Sequence, residues 1–178
     1  MFGFKNKAAK EAAVVVSSPS VWGHCDNLAP PLVATPLRAI LWCLALTFLP
    51  HILRIPMVLK LKGWYNHLMP RTHQFNERDT QQNPELVRMI QRTTAAHANS
   101  WEAFTYFSVA CIVAHVLKLK EEIASRLCTL FLGLRFCYIL LYIGGTQAWV
   151  GTLRSLVWFA AFVAAWRLIL LSLSQAGL

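Results

Sequence analysis

Ionisable side chains fall inside otherwise apolar stretches of this 178-residue chain: Arg38, Arg54, His97, Glu102, Arg135, Arg154 and Arg167. At the centre of a spanning helix each charged one costs about 2.5–3.5 kcal/mol on insertion scales, so such residues turn inward or mark a pocket. Their spacing sorts them. Arg92, Asn99 and Glu102 stand at i, i+7 and i+10, one face of a helix. Arg135, Tyr138 and Tyr142 stand at i, i+3 and i+7, and Arg154 with Ser155 opens the last apolar stretch. Together these side chains could line a polar cavity at one membrane face. Guanidinium forks take carboxylates in a bidentate way, and a nearby glutamate would take an ammonium. That chemistry suits a polar anionic ligand with more than one charge. A purely structural reading also stands, in which Glu102 pairs with Arg135 or Arg92 and Asn99 bonds across helices. Arg38 and Arg167 read as snorkelling or partner-contact residues, and His51 and His115 as structural.

The elements that must carry this set are helices. Hydrophobic residues make up 56% of the chain and charged ones 14%, with a mean hydropathy of +0.45. Soluble domains carry about 25% charged residues. The balance of 17 Lys+Arg against 8 Asp+Glu leaves a net charge of +9, which suits cationic membrane loops or an anion site. No groove-reading motif supports nucleic-acid binding. The five cysteines show no metal-binding spacing, and they are expected to pack as buried, reduced thiols.

Four apolar stretches follow one another. Residues 37–61 would reach about 37 Å as a helix, against a hydrocarbon core of about 30 Å, with kinks expected at Pro50 and Pro56. Residues 62–87 read as a long polar connector ending in Asn83-Pro84-Glu85, a turn and helix start. Residues 88–118 read as a helix with a polar first half, and a charged hinge separates it from spans at 127–145 and 153–174. Trp64, Trp149 and Trp101 are expected in an interfacial belt. The predicted fold is an all-α, integral membrane four-helix transmembrane bundle over 37–174. A basic, polar extension (1–36) precedes it and a short tail (175–178) follows. The extension resembles an organelle transit peptide or a partner-binding tail. Lys/Arg counts weakly place the 62–87 loop on the cytoplasmic or matrix side.

The order of motifs A-H-A-N-x-x-E (Ala96 to Glu102), R-x-x-Y-x-x-x-Y (Arg135 to Tyr142) and L-R-S (Leu153 to Ser155) resembles the MAPEG family. These are membrane-associated proteins of eicosanoid and glutathione metabolism, and the likeness covers about residues 37–174. It implies a homotrimer with glutathione bound as co-substrate between subunits. A lipophilic second substrate would enter from the bilayer. Asn99 and Glu102 would hold the glutathione backbone with His97 beside them, and Tyr138 and Tyr142 would line the pocket. Arg154, with Ser155, would stand nearest the sulfur, and Arg54 resembles the basic residue that family members place near the end of the first span. Two departures are visible. The arginine that better-known members place four residues before the Asn is Ala95 here, with Arg92 one turn earlier, and the interval from Tyr142 to Arg154 is longer. The resemblance implies a glutathione-dependent transferase, isomerase or peroxidase of the endoplasmic reticulum or an organelle membrane. The departures and the extension favour an alternative, a non-catalytic accessory subunit of a larger membrane complex.

Overall fold

The computed structural model describes residues 35–68 and 75–178, which form five helices and no strand. Residues 1–34 of the N-terminal extension, with Cys25, and Arg71 lie outside the described residues, and the last residue of the extension, Pro36, belongs to the first helix. Helix α1 is Pro36–Lys62, α2 is Glu77–Gln82, α3 is Pro84–Val116, α4 is Glu121–Gly144 and α5 is Ala148–Ala176.

Helix α1 begins on a proline, whose missing N–H would be unsatisfied at N1 in any case, and runs unbroken through Pro50 and Pro56. It ends at Gly63, which takes φ 73° and donates its N–H to Leu59 O at 2.8 Å. The connector at 62–87 is more structured than its composition suggests. Within it, Asn76 donates its N–H to the Asp79 carboxylate at 3.0 Å and starts α2, while Lys62 reaches the same carboxylate at 3.5 Å. Helix α3 then starts at Pro84. Two sequence boundaries are corrected. The charged segment before residue 127 is the first turns of α4, with Glu121 and Glu122 complementing the helix dipole. Helix α5 starts five residues before 153, so Arg154 does not open it but stands in its second turn.

Three helices, α1, α4 and α5, are long and apolar enough to cross a membrane. Helix α3 falls short of that standard because its first half is polar, yet it packs against α1, α4 and α5 alike. Helix α4 also packs on α1 and α5. Helices α3 and α4 thus each touch the other three long helices, and the polar side chains of α3 can find partners there.

Small residues make this close packing possible: Ala39, Ala103, Ala110, Ala161 and Ala165 are all buried. Phe107 and Phe131 stack between α3 and α4 with centroids 3.8 Å apart. Buried hydroxyls return to their own helix, Thr47 donating to Cys43 O, Ser100 to Ala96 O and Ser172 to Leu168 O. The outer surface instead carries large apolar side chains such as Trp42, Ile112, Leu130, Phe159 and Trp166, with Arg38 and Arg167 exposed among them. Cys43, Cys111 and Cys128 are buried free thiols as expected, but Cys137 is exposed on α4. Trp64 and Trp149 are exposed near one end of the molecule, whereas Trp101 is half-buried on α3 and bonded to His97 rather than standing in a belt.

Two turns fix how the helices align. After α3, Lys118 takes φ 54° and Leu119 donates its N–H to Ala114 O, while the Gln175 amide of α5 bonds both Lys118 O and Lys120 N–H. Between α4 and α5 the chain turns at Gly145, where a Cβ would lie 2.5 Å from Leu141 O and 2.7 Å from Val150 Cγ1. The neighbouring Gly144 has nothing within 4 Å of such an atom. Gly145→Ala is expected to destabilise the protein by about 1–3 kcal/mol, the usual cost of overpacking, because backbone must shift. Gly144→Ala should leave stability unchanged or raise it. Thermal unfolding of the two variants in detergent checks the contrast.

Candidate functional site

Arg135 sits on the α4 face that meets α3, and only 2% of it is exposed. Its Nη2 donates to Asn99 O at 3.2 Å and to Ser100 Oγ at 3.5 Å. Its guanidinium carbon lies 4.3 Å from the centroid of the Tyr138 ring, one turn along. Tyr138 meets Tyr142 edge-on at 5.5 Å, and Arg154 of α5 lies over the Tyr142 ring at 4.2 Å. The result is a continuous row from the interior towards the Gly145 turn: guanidinium, phenol, phenol, guanidinium. Each cation faces the negative face of an aromatic ring, worth about 0.5–2 kcal/mol per contact. The stripe expected on α4 is thus present, and α5 adds Arg154 to it.

The row is not electrically complete. Arg135 Nη1 and Asn99 Oδ1 are buried without a hydrogen-bond partner among the described residues. Among the described residues no carboxylate forms an ion pair with Arg135 or Arg154, whereas Lys62 pairs with Asp79, Arg88 with Glu85 and Arg126 with Glu122. Glu102 is exposed on α3, one turn after Asn99. A donor and an acceptor left open around a buried guanidinium fit a ligand carrying both a carboxylate and an N–H group.

Other candidates are placed elsewhere. Arg92 Nε donates to Ile143 O at 3.1 Å, capping the last turn of α4, so its guanidinium is engaged in holding that helix end. His97 faces α1. The Trp101 indole can only donate, so His97 Nε2 accepts from it at 3.2 Å, and Nδ1 carries the proton given to Thr47 O at 2.9 Å. Both ring nitrogens are therefore in use. Arg54 is buried beside it, and with His51, Thr94 and Trp101 these residues line a pocket of about 110 Å³ between α1 and α3. None of the Arg135 row lines that pocket. Ser155 is exposed and its hydroxyl donates to Gly151 O at 3.1 Å, so it does not share the Arg154 contact with Tyr142. A larger cavity of about 420 Å³ lies at the other end of the helices, between Pro36, His115 and Lys118, but among the described residues no buried unpartnered polar atom points to a ligand there.

Two residues of this neighbourhood escape a reading by motif. Ser100 resembles any hydroxyl bonded to its own helix, and its contact with Arg135 depends on α4. Tyr106 looks like a core aromatic, although its spacing of four from Glu102 and seven from Asn99 puts it on their face.

Helices fit to cross a bilayer, packed around a buried Arg135 and Tyr138 that lead to a half-buried Tyr142 and Arg154, define a membrane protein with a cation in its interior. The sequence profile of the MAPEG family matches residues 32–174, and the chain belongs to that family. No curated protein and no solved structure matches it significantly.

If Arg135 serves a ligand rather than the fold, its charge weakens the ligand-free protein. Arg135→Met, similar in length and apolar, is then expected to raise the melting temperature of the unliganded protein and to abolish stabilisation by anionic ligands. A lower melting temperature would identify Arg135 as interhelical glue.

Proposed function

We propose that this protein is a glutathione-dependent transferase, isomerase or peroxidase acting on a lipophilic substrate, with four spanning helices and a homotrimeric assembly. Family membership supports the reading, and the observation that carries it is the row Arg135–Tyr138–Tyr142–Arg154 with its open donor and acceptor. Helix α3, too polar to rank as a span by itself, would cross the bilayer shielded by the other three.

The donor set fits glutathione. Arg135 Nη1 would take a carboxylate, Asn99 Oδ1 would accept an N–H of the peptide, and Glu102 would attract its ammonium. Tyr138 and Tyr142 keep the two guanidiniums apart and rigid, so neither can collapse onto the other end of the ligand. When bound, glutathione supplies a thiol that is a weak nucleophile near neutral pH until its thiolate is favoured. Arg154 is suited to favour it, since it is half-buried, held over Tyr142, and offers a fixed positive charge near the helix ends. The exposed apolar faces of α4 and α5 would let a lipophilic substrate approach through the bilayer.

A second reading has specific support. Ala95 provides no guanidinium where better-known relatives have one, and Arg92 is engaged at the end of α4, which favours a non-catalytic accessory subunit of a larger organellar complex.

Purified protein with glutathione is expected to show near-ultraviolet thiolate absorbance that Arg154→Ala removes. Absence of the signal in intact wild-type protein overturns the catalytic role. Native mass separates the two readings: a lone trimer fits the enzyme, and co-migration with a large assembly fits the subunit.

A further inference from the structure

Tyr106 has the one buried phenol hydroxyl near Arg135 that no contact explains. Its ring is clamped edge-on by Phe131 of α4 at 6.1 Å and by Phe162 of α5 at 5.7 Å. Two such contacts leave the ring little freedom, yet its hydroxyl is buried without a hydrogen-bond partner among the described residues. An unsatisfied buried hydroxyl costs about 1–3 kcal/mol, so a rigid one calls for a reason.

Helix geometry indicates where the hydroxyl reaches. Side chains on a helix lean towards its N-terminus. Asn99 and Ser100 of α3 lie level with Arg135, because they accept its hydrogen bonds. Phe131, one turn before Arg135 on α4, lies level with Tyr106 and Phe107. Tyr106 leans back along α3 towards the Asn99 level, where the guanidinium is held by Asn99 O, Ser100 Oγ and the Tyr138 ring. The Tyr106 hydroxyl is thus directed towards the depth at which the guanidinium sits. Each retains an unpartnered polar atom there, Tyr106 OH and Arg135 Nη1.

We propose that Tyr106 is a ligand-binding residue of this site, its hydroxyl donating to the same carboxylate that Arg135 Nη1 holds. One oxygen of that carboxylate accepts from the guanidinium and the other from the phenol, and Asn99 Oδ1 accepts from an N–H beside it. The inference deepens the glutathione reading and rests on it for the identity of the ligand, but not for the carboxylate itself.

The test measures stabilisation of the full-length protein in detergent by glutathione and, separately, by acetate, in the wild type and in Tyr106→Phe. Phenylalanine retains both ring contacts and removes an unpartnered buried hydroxyl, so the unliganded melting temperature should hold or rise. Loss of one hydrogen bond to a charged group is expected to weaken each probe about tenfold. If acetate stabilises the wild type in a Tyr106-dependent way and glutathione does not, the glutathione reading falls and the carboxylate site stands. If Tyr106→Phe binds both probes as the wild type does, or if neither probe stabilises the wild type, the proposal is overturned.

Discussion

A guanidinium sealed between apolar helices governs this structure. Arg135 is almost wholly buried, and it is held by a backbone carbonyl, a serine hydroxyl and the face of a phenol rather than by a carboxylate. Burying a charge without a paired counter-charge is among the more expensive things a helical membrane protein can do. The surroundings are arranged around that cost. Helix α3 turns carbonyl and hydroxyl towards it, α4 lays Tyr138 beneath it, and α5 closes the row with Arg154 over the α4 residue Tyr142.

The same constraint accounts for the unusual character of α3. It carries Arg92, His97, Asn99, Ser100, Glu102 and Tyr106 within a few turns, and would expose much of that polarity on the outside of a bundle. Packed against three apolar helices, it uses each face differently. One face holds His97 against α1, with its tautomer set by Trp101 and Thr47. Another presents Asn99 and Ser100 to Arg135. Arg92 caps α4 at its last turn. Polar residues that look like one cluster in the sequence thus have separate duties, some in holding helices and some open to a ligand.

Alignment of the row depends on turns as well as faces. The close approach at Gly145 sets the register between α4 and α5, and so brings Arg154 over Tyr142 despite the long interval between them. At the opposite end, Gln175 ties α5 to the connection between α3 and α4. With both ends of α5 fixed, the Phe162 ring meets Tyr106 and stiffens the neighbourhood of the guanidinium.

Much of this was legible in the residues alone. Apolar runs and their interruptions defined the long helices, because burying backbone polar groups in hydrocarbon leaves a helix as the simplest solution. The i, i+3, i+7 spacing placed Arg135, Tyr138 and Tyr142 on one stripe, since a helix of 3.6 residues per turn allows nothing else. The motif order pointed to the MAPEG family, to which the chain belongs. What spacing along one helix cannot contain is which face of the next helix it meets. Only the tertiary structure separated His97 and Arg54 from the Arg135 row, turned Ser155 outward, engaged Arg92 at a helix end and clamped the Tyr106 ring between Phe131 and Phe162. Those outcomes depend on the rotation and register of whole helices, set by small-residue contacts and by one tight glycine turn far along the chain from the side chains they position.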